Sequence, residues 1–171
     1  MDIALARDPQ PGLTELINQA YLEGEKGLWR AGAVRISEPE LAELIGRGEI
    51  AVARQAGRLA GCVRVVQPER GVGELGLLAV APSQQGSGAG RGLVRFAEQW
   101  ARDRGLPVMQ LQLLVPATGE HPVKQFLRAW YTRLGFRLVD SGEVAGHHPD
   151  LAPLLAVECR FLTFHKDLRP L

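Results

Sequence analysis

Apolar residues recur along this chain in two rhythms. Between residues 11 and 22, Leu13, Leu16, Ile17 and Ala20 fall at i, i+3, i+4 and i+7. That spacing lines one face of a helix, and Pro11 suits a helix N-terminus. Gly24, Gly27 and Gly32 break the following segment into a loop. Ser37-Glu38-Pro39-Glu40 then predicts a capping box, with Ser37 accepting from the backbone and Glu40 reaching back. The helix it opens runs to about Ile45, and Gly46 or Gly48 ends it. A longer helix is expected over 88–104, with Leu93, Phe96, Ala97, Trp100 and Ala101 as its buried stripe. Arg91, Arg95, Glu98 and Arg102 form its wet side, and Gly105 and Pro107 stop it. The segment 123–134 predicts another helix, ended by Gly135.

The strand rhythm marks 3–7, 50–54 and 59–66, with a turn over 55–58 and a connection over 67–73. Residues 75–80 are apolar on both faces, which predicts a central strand. Further strands are expected over 108–115, 136–139 and 157–164. Strand-helix-strand-helix order in the middle of the chain predicts a mixed α/β sheet with some parallel pairs. The close-spaced early strands make the rest antiparallel.

Length and composition agree with this pattern. The chain has 171 residues, 46% hydrophobic and 23% charged, which is the make-up of a globular protein. With no repeat and no linker-like stretch, one domain over residues 1–171 is the expectation. A net charge of +1 gives no reason to expect binding driven by nucleic-acid phosphates. Cys62 and Cys159 sit in apolar runs and read as two buried free thiols, with a disulfide between them as the alternative. No CxxC or zinc-like spacing occurs, so no metal is expected. The first residues lack the pattern of a secretory signal, and no apolar run is long enough to span a membrane. A soluble cytoplasmic protein is expected.

The chemistry concentrates in one segment. Gln85-Gly86-Ser87-Gly88-Ala89-Gly90-Arg91-Gly92 joins a buried strand to a helix. Glycine permits positive φ and close approach. The first N–H groups of a helix have no partner inside it, and the dipole favours an anion there. The segment reads as a pyrophosphate cradle or, more plainly, as a flexible turn. It lacks the Lys-Ser/Thr of a nucleotide-triphosphate loop. GxGxxG does occur at 71–76, but it precedes a strand instead of opening a helix, so it is discounted.

Glu74-Leu75-Gly76-Leu77-Leu78-Ala79-Val80-Ala81-Pro82, followed by Gln85-x-x-Gly88-x-Gly90, resembles the acyl-CoA motif of the GNAT superfamily of N-acetyltransferases. Trp130-Tyr131-Thr132-Arg133-Leu134-Gly135-Phe136 is similar to that superfamily's Tyr-x-x-Leu-Gly-Phe element. The resemblance implies a twisted sheet of about seven strands, splayed in the middle, with about four helices on its two faces. Acetyl-CoA would lie in the splay between 75–80 and 108–115. Its pyrophosphate would meet the N–H groups of Gln85, Gly86, Ser87, Gly88, Ala89, Gly90 and Arg91. Its pantetheine would pair with the backbone of Leu78, Ala79 and Val80. The implied reaction is direct acetyl transfer from the thioester to an amine in a ternary complex. Glu74 would be the base and Tyr131 the acid that protonates the departing thiolate. For each residue a plainer reading stands beside this one, a solvated carboxylate and a packed aromatic. Many members carry an asparagine about two turns before the tyrosine; here Lys124 stands near that place, after an unusual loop over 116–122.

The acceptor side is less marked. Trp29 and Arg30 make either a stacking and carboxylate-binding wall or, more plainly, a Trp closing the edge of the core, in a loop that also holds Glu25, Lys26 and Arg35. His121 and Lys124 either face the site or are surface loop charges. His147, His148 and Asp150 read as a solvated turn. The expected partner is a small-molecule amine. The alternatives are a protein N-terminus or lysine, and a non-catalytic acyl-CoA-binding module. A homodimer is an ordinary assembly for a small enzyme, and no segment marks an interface.

Overall fold

The computed structural model describes residues 1–170. Seven strands form one sheet: β1 (Asp2–Leu5), β2 (Ile50–Gln55), β3 (Arg58–Glu69), β4 (Val72–Val80), β5 (Val108–Pro116), β6 (Arg137–Glu143) and β7 (Cys159–Asp167). The helices are α1 (Leu13–Gly24), α2 (Glu38–Gly46), α3 (Ala89–Asp103), α4 (Pro122–Arg133) and a single turn, α5 (Val144–His147). The order across the sheet is β1-β2-β3-β4-β5-β7-β6. Only β4 and β5 run parallel. This is the mixed α/β sheet that the sequence predicts, with α5 as an added turn.

Local chemistry accounts for the boundaries. The capping box forms: Ser37 Oγ accepts from the Glu40 N–H at 3.3 Å, and Glu40 Oε2 accepts from the Ser37 N–H at 3.0 Å. Helix α1 starts two residues later than Pro11 because Gly12 is left-handed, at φ 84°. Strands β3 and β4 continue through the expected 67–73 connection, down to a turn at Arg70 and Gly71.

The sheet buries a core on each face. Leu93, Val94, Ala97 and Ala101 of α3 pack with Val63, Val65 and Leu75 on one side. Leu13 and Ile17 of α1 and Leu41 and Ile45 of α2 pack with Val52, Leu77 and Ala79 on the other. Leu75 and Leu77 belong to different cores although they are two residues apart. A bulge explains this: Arg64 pairs with Gly76 and Cys62 with Ala79, so β4 carries one extra residue there. Leu77 sits in the bulge at φ 47°, left-handed for a branched residue, a conformation that costs about 1–2 kcal/mol.

Glu98 departs from the expected wet side of α3. It is buried and holds Lys166 at 2.7 Å. Its neighbour across the groove is the cationic end of β7, so the carboxylate is compensated where it lies. Among the described residues, no helix is long and apolar enough to cross a membrane.

Candidate active site

The ladder between β4 and β5 is short. Val72 pairs with Val108, Gly73 with Met109 and Glu74 with Gln110, and pairing then stops. From Leu75 onward the β4 edge facing β5 is unpaired, while β5 stays paired to β7 as far as Pro116. An unpaired edge inside a sheet offers N–H and C=O groups to an extended ligand.

A cleft of about 1040 Å³ opens at this splay. Glu74, Leu78 and Tyr131 line it together, and Trp29, Arg30 and Arg35 line its other side. Glu74 sits at the last rung before the splay. Its Oε2 accepts from Gln110 Nε2 at 2.6 Å, and Gln110 Oε1 lies 2.8 Å from His165 Nε2. Since the amide N–H goes to the carboxylate, Gln110 Oε1 must accept, and His165 carries its proton on Nε2. This row fixes where Glu74 points.

Tyr131 is buried against Trp130 and Phe136, with ring centroids at 5.0 and 5.8 Å. Burial pushes its phenol well above the ordinary tyrosine range, and the nearby Tyr21 adds to the effect. Its hydroxyl has no hydrogen-bond partner among the described residues. Tyr21 also lines the cleft. Burial pushes its phenol up to about 12, against the pull of Arg35, whose guanidinium stacks 5.1 Å from the ring centroid.

The glycine segment lies at the start of α3. Gly86 and Gly88 adopt φ 78° and 90°, and Gly88 is the N-cap. Ser87 turns inward: its Oγ donates to Gln84 O at 2.6 Å and accepts from the Ala89 N–H at 3.3 Å. Among the described residues, the N–H groups of Gly86, Gly88, Gly90 and Arg91 have no backbone partner. An ideal Cβ at Gly86 or Gly88 would meet nothing within 4 Å, so no neighbour crowds the turn at these two positions. The arrangement fits an anion such as a pyrophosphate. Of the expected pantetheine contacts, Leu78 lines the cleft, Ala79 is buried toward α1, and Val80 packs toward α3.

The acceptor side is held by contacts far apart in sequence. Lys124 corrects the surface-charge reading: its Nζ reaches Glu25 Oε2 at 2.6 Å, and both side chains are only 6% exposed. Glu25 Oε1 also accepts from Trp29 Nε1 at 3.0 Å. The Arg30 N–H donates to Leu154 O, the Ala156 N–H to Leu28 O, and Arg30 Nε to Leu155 O at 3.1 Å. The loop after α1 is thereby strapped across the splay, from the β4 side to the segment before β7. His121 is not part of the cleft lining; its Nε2 lies 3.0 Å from Lys26 O. His148 is not a solvated turn residue. It is half-buried in the cleft wall, 3.2 Å from Gln112 Oε1.

Sequence reasoning missed Tyr21, Gln110, Gln112 and the Glu25–Lys124 pair. Two signals were present. Tyr21 continues the α1 stripe at i+4 from Ile17, and Gln110 and Gln112 alternate with apolar residues in β5, marking one polar face. Among the described residues, no group of three His, Cys, Asp or Glu is placed to hold a metal.

No curated protein matches the chain by sequence. Solved structures share its fold. An aminoglycoside 6'-N-acetyltransferase complexed with coenzyme A is 18% identical, with TM-score 0.73, 100% of this chain and 99% of that chain being covered. A ribosomal-protein-alanine N-acetyltransferase from Brucella melitensis is 17% identical, with TM-score 0.67 and coverage of 98% and 99%. An N-acetylglutamate synthase from Neisseria gonorrhoeae, complexed with coenzyme A and N-acetyl-glutamate, is 20% identical with TM-score 0.70; 99% of this chain matches only 35% of that one. The family model described as acetyltransferase (GNAT) family matches residues 13–136. The splayed sheet and the glycine turn thus belong to a member of the GNAT family of acetyltransferases, enzymes whose acyl donor is acetyl-CoA.

Proposed function

We propose that this chain moves an acetyl group from acetyl-CoA to the primary amine of a small molecule, by direct attack in a ternary complex. The observation that carries this reading is the meeting of Glu74, Tyr131 and the unpaired β4 edge in one cleft. Acetyl-CoA supplies a thioester whose carbonyl the amine attacks and whose thiolate leaves. The free N–H groups of Gly86, Gly88, Gly90 and Arg91 hold the pyrophosphate, those of Ser87 and Ala89 being engaged within the turn, and the backbone of Leu78 to Val80 pairs with the pantetheine arm.

An ammonium ion has no lone pair, so an acceptor with a lysine-like pKa near ~10.4 must first lose a proton. Glu74 takes it, directly or through water, held in place by Gln110. Unpaired N–H groups near the Leu77 bulge stabilise the charge that develops on the thioester oxygen. Tyr131 then donates to the leaving sulfur. Its raised phenol keeps that proton at neutral pH and past the ordinary tyrosine range.

The strap over the splay supports a small acceptor rather than a chain terminus, because a polypeptide needs a groove open along its length. Trp29, Arg30 and Arg35 line the acceptor side. The test is a thiol-release screen with acetyl-CoA over amino acids, polyamines, aminoglycosides and peptides. Turnover confined to small amines is the expected result. Turnover of peptides alone would overturn the small-molecule assignment. Acetyl-CoA binding with no turnover in any class would favour a non-catalytic module.

A further inference from the structure

A second recess, of about 320 Å³, lies in the groove between α3 and α4. Arg91, Arg95, Arg133 and Lys166 line it, with a single acid, Glu98. The charges do not cancel. Glu98 is already committed to Lys166 at 2.7 Å and Arg102 at 3.6 Å. Among the described residues, no carboxylate pairs with Arg91, Arg95 or Arg133. Arg91 and Arg95 stand at i and i+4 on α3, where like charges destabilise a helix. Three uncompensated guanidinium groups around one recess make a site for an anion.

Its place on the helix defines which anion. The Arg91 N–H belongs to the donor cluster at the start of α3, while the Arg91 side chain lines the recess. Arg95 follows one turn later, about 5.4 Å along the axis. Trp130 of α4 lies 3.5 Å from an ideal Cβ on Gly90, so α4 seats on this first turn and brings Arg133 to the groove. The cations therefore begin where the N–H donors end, in the groove that α4 closes.

We propose that this groove seats a phosphate monoester, the 3'-phosphate that coenzyme A carries on the ribose next to its pyrophosphate. Arg95 and Arg133 grip it, and Arg91 bridges it to the pyrophosphate. This rests on the acetyl-CoA placement proposed above. The protein then selects its acyl carrier by the end remote from the thioester.

Calorimetric titrations with CoA and with dephospho-CoA, which lacks the 3'-phosphate, test this on the wild type, Arg95→Gln, Arg133→Gln and the double variant. Arg104→Gln, at the residue that caps the far end of α3 and stacks on Trp100, is the control. The wild type should bind CoA at least about tenfold tighter than dephospho-CoA. Each groove variant should lose CoA affinity about three- to tenfold and keep its dephospho-CoA affinity. The double variant should lose the preference, and the control should keep it. No wild-type preference, or equal losses for the two ligands, would overturn the 3'-phosphate seat while leaving the pyrophosphate cradle standing. A wild type that binds neither ligand would overturn both. Unchanged melting temperatures would show that the variants fold.

Discussion

The start of α3 and the strap after α1 both hold one side of the cleft, and they do so with opposite materials. At α3 the donors are backbone N–H groups, freed by glycines at φ 78° and 90°. No neighbour crowds Gly86 or Gly88 in the direction a side chain would take. Across the cleft the structure depends on side chains: Lys124 on Glu25, Glu25 on Trp29, and Arg30 on a backbone carbonyl 125 residues away. A site made of backbone is encoded by a few adjacent residues and tolerates change around it. A site made of side chains needs each partner, and losing one leaves the other buried and unpaired.

The largest contrast is expected at Gly88. Gly88→Glu puts a side chain and a negative charge into the turn that carries the free N–H groups, and should abolish acetyl-CoA binding in calorimetry. Gly88→Ala sharpens the point. It adds no charge and meets no atom, so only the left-handed backbone opposes it, at about 1–2 kcal/mol of stability.

Tyr131→Phe should come next. It removes a proton donor and no packing, so kcat should fall roughly 10²-fold with acetyl-CoA affinity unchanged. Equal kcat would remove Tyr131 from the chemistry. The sign of its pKa shift adds a check. A raised phenol stays neutral past the ordinary value near ~10, so no alkaline limb from Tyr131 should appear in the wild-type profile below that pH.

On the strap, Lys124→Met should destabilise the fold by about 3–5 kcal/mol, because Glu25 is left buried and charged. Pairing it with Glu25→Leu should recover most of that loss in denaturant titrations. The acceptor KM should rise in both, and the acetyl-CoA Kd should stay near the wild-type value. A fall in acetyl-CoA affinity as deep as that of Gly88→Glu would break the division between the two sides. The smallest effect is expected at the cysteines. Burial pushes the Cys62 thiol up to about 12 and the Cys159 thiol up to about 11. Few thiolates exist at pH 8, so an alkylating reagent should label the native protein slowly and the unfolded chain fast.

The same contrast explains how much could be read from the sequence. The glycine turn, the capping box at Ser37 and the succession of strands along the chain rest on neighbours in the sequence, and those signals are local; the place of β7 between β5 and β6 is not. The Glu25–Lys124 pair joins residues 99 apart, and an isolated lysine after a proline-rich loop looks like any surface charge. Glu98 looked wet for the same reason, since Lys166 reaches it only in the fold. Residues 67–73 looked like a loop because the hairpin of β3 and β4 projects past the core there. Its side chains at 67–70 face solvent, so polar residues and a proline are tolerated in a strand. In β6 only Gly142 is less than exposed, so its strand has no alternation to detect beyond Val139. The bulge at Leu77 left no composition signal, and it decides which core each β4 residue joins.

The most direct test of the cleft as an acetyl-CoA site is one calorimetric comparison, acetyl-CoA titrated into the wild type and into Gly88→Glu. Saturable binding by the wild type and none by the variant, with both melting as folded proteins, is the predicted result. Equal affinities would contradict it, because the glycine turn would then hold no part of the donor.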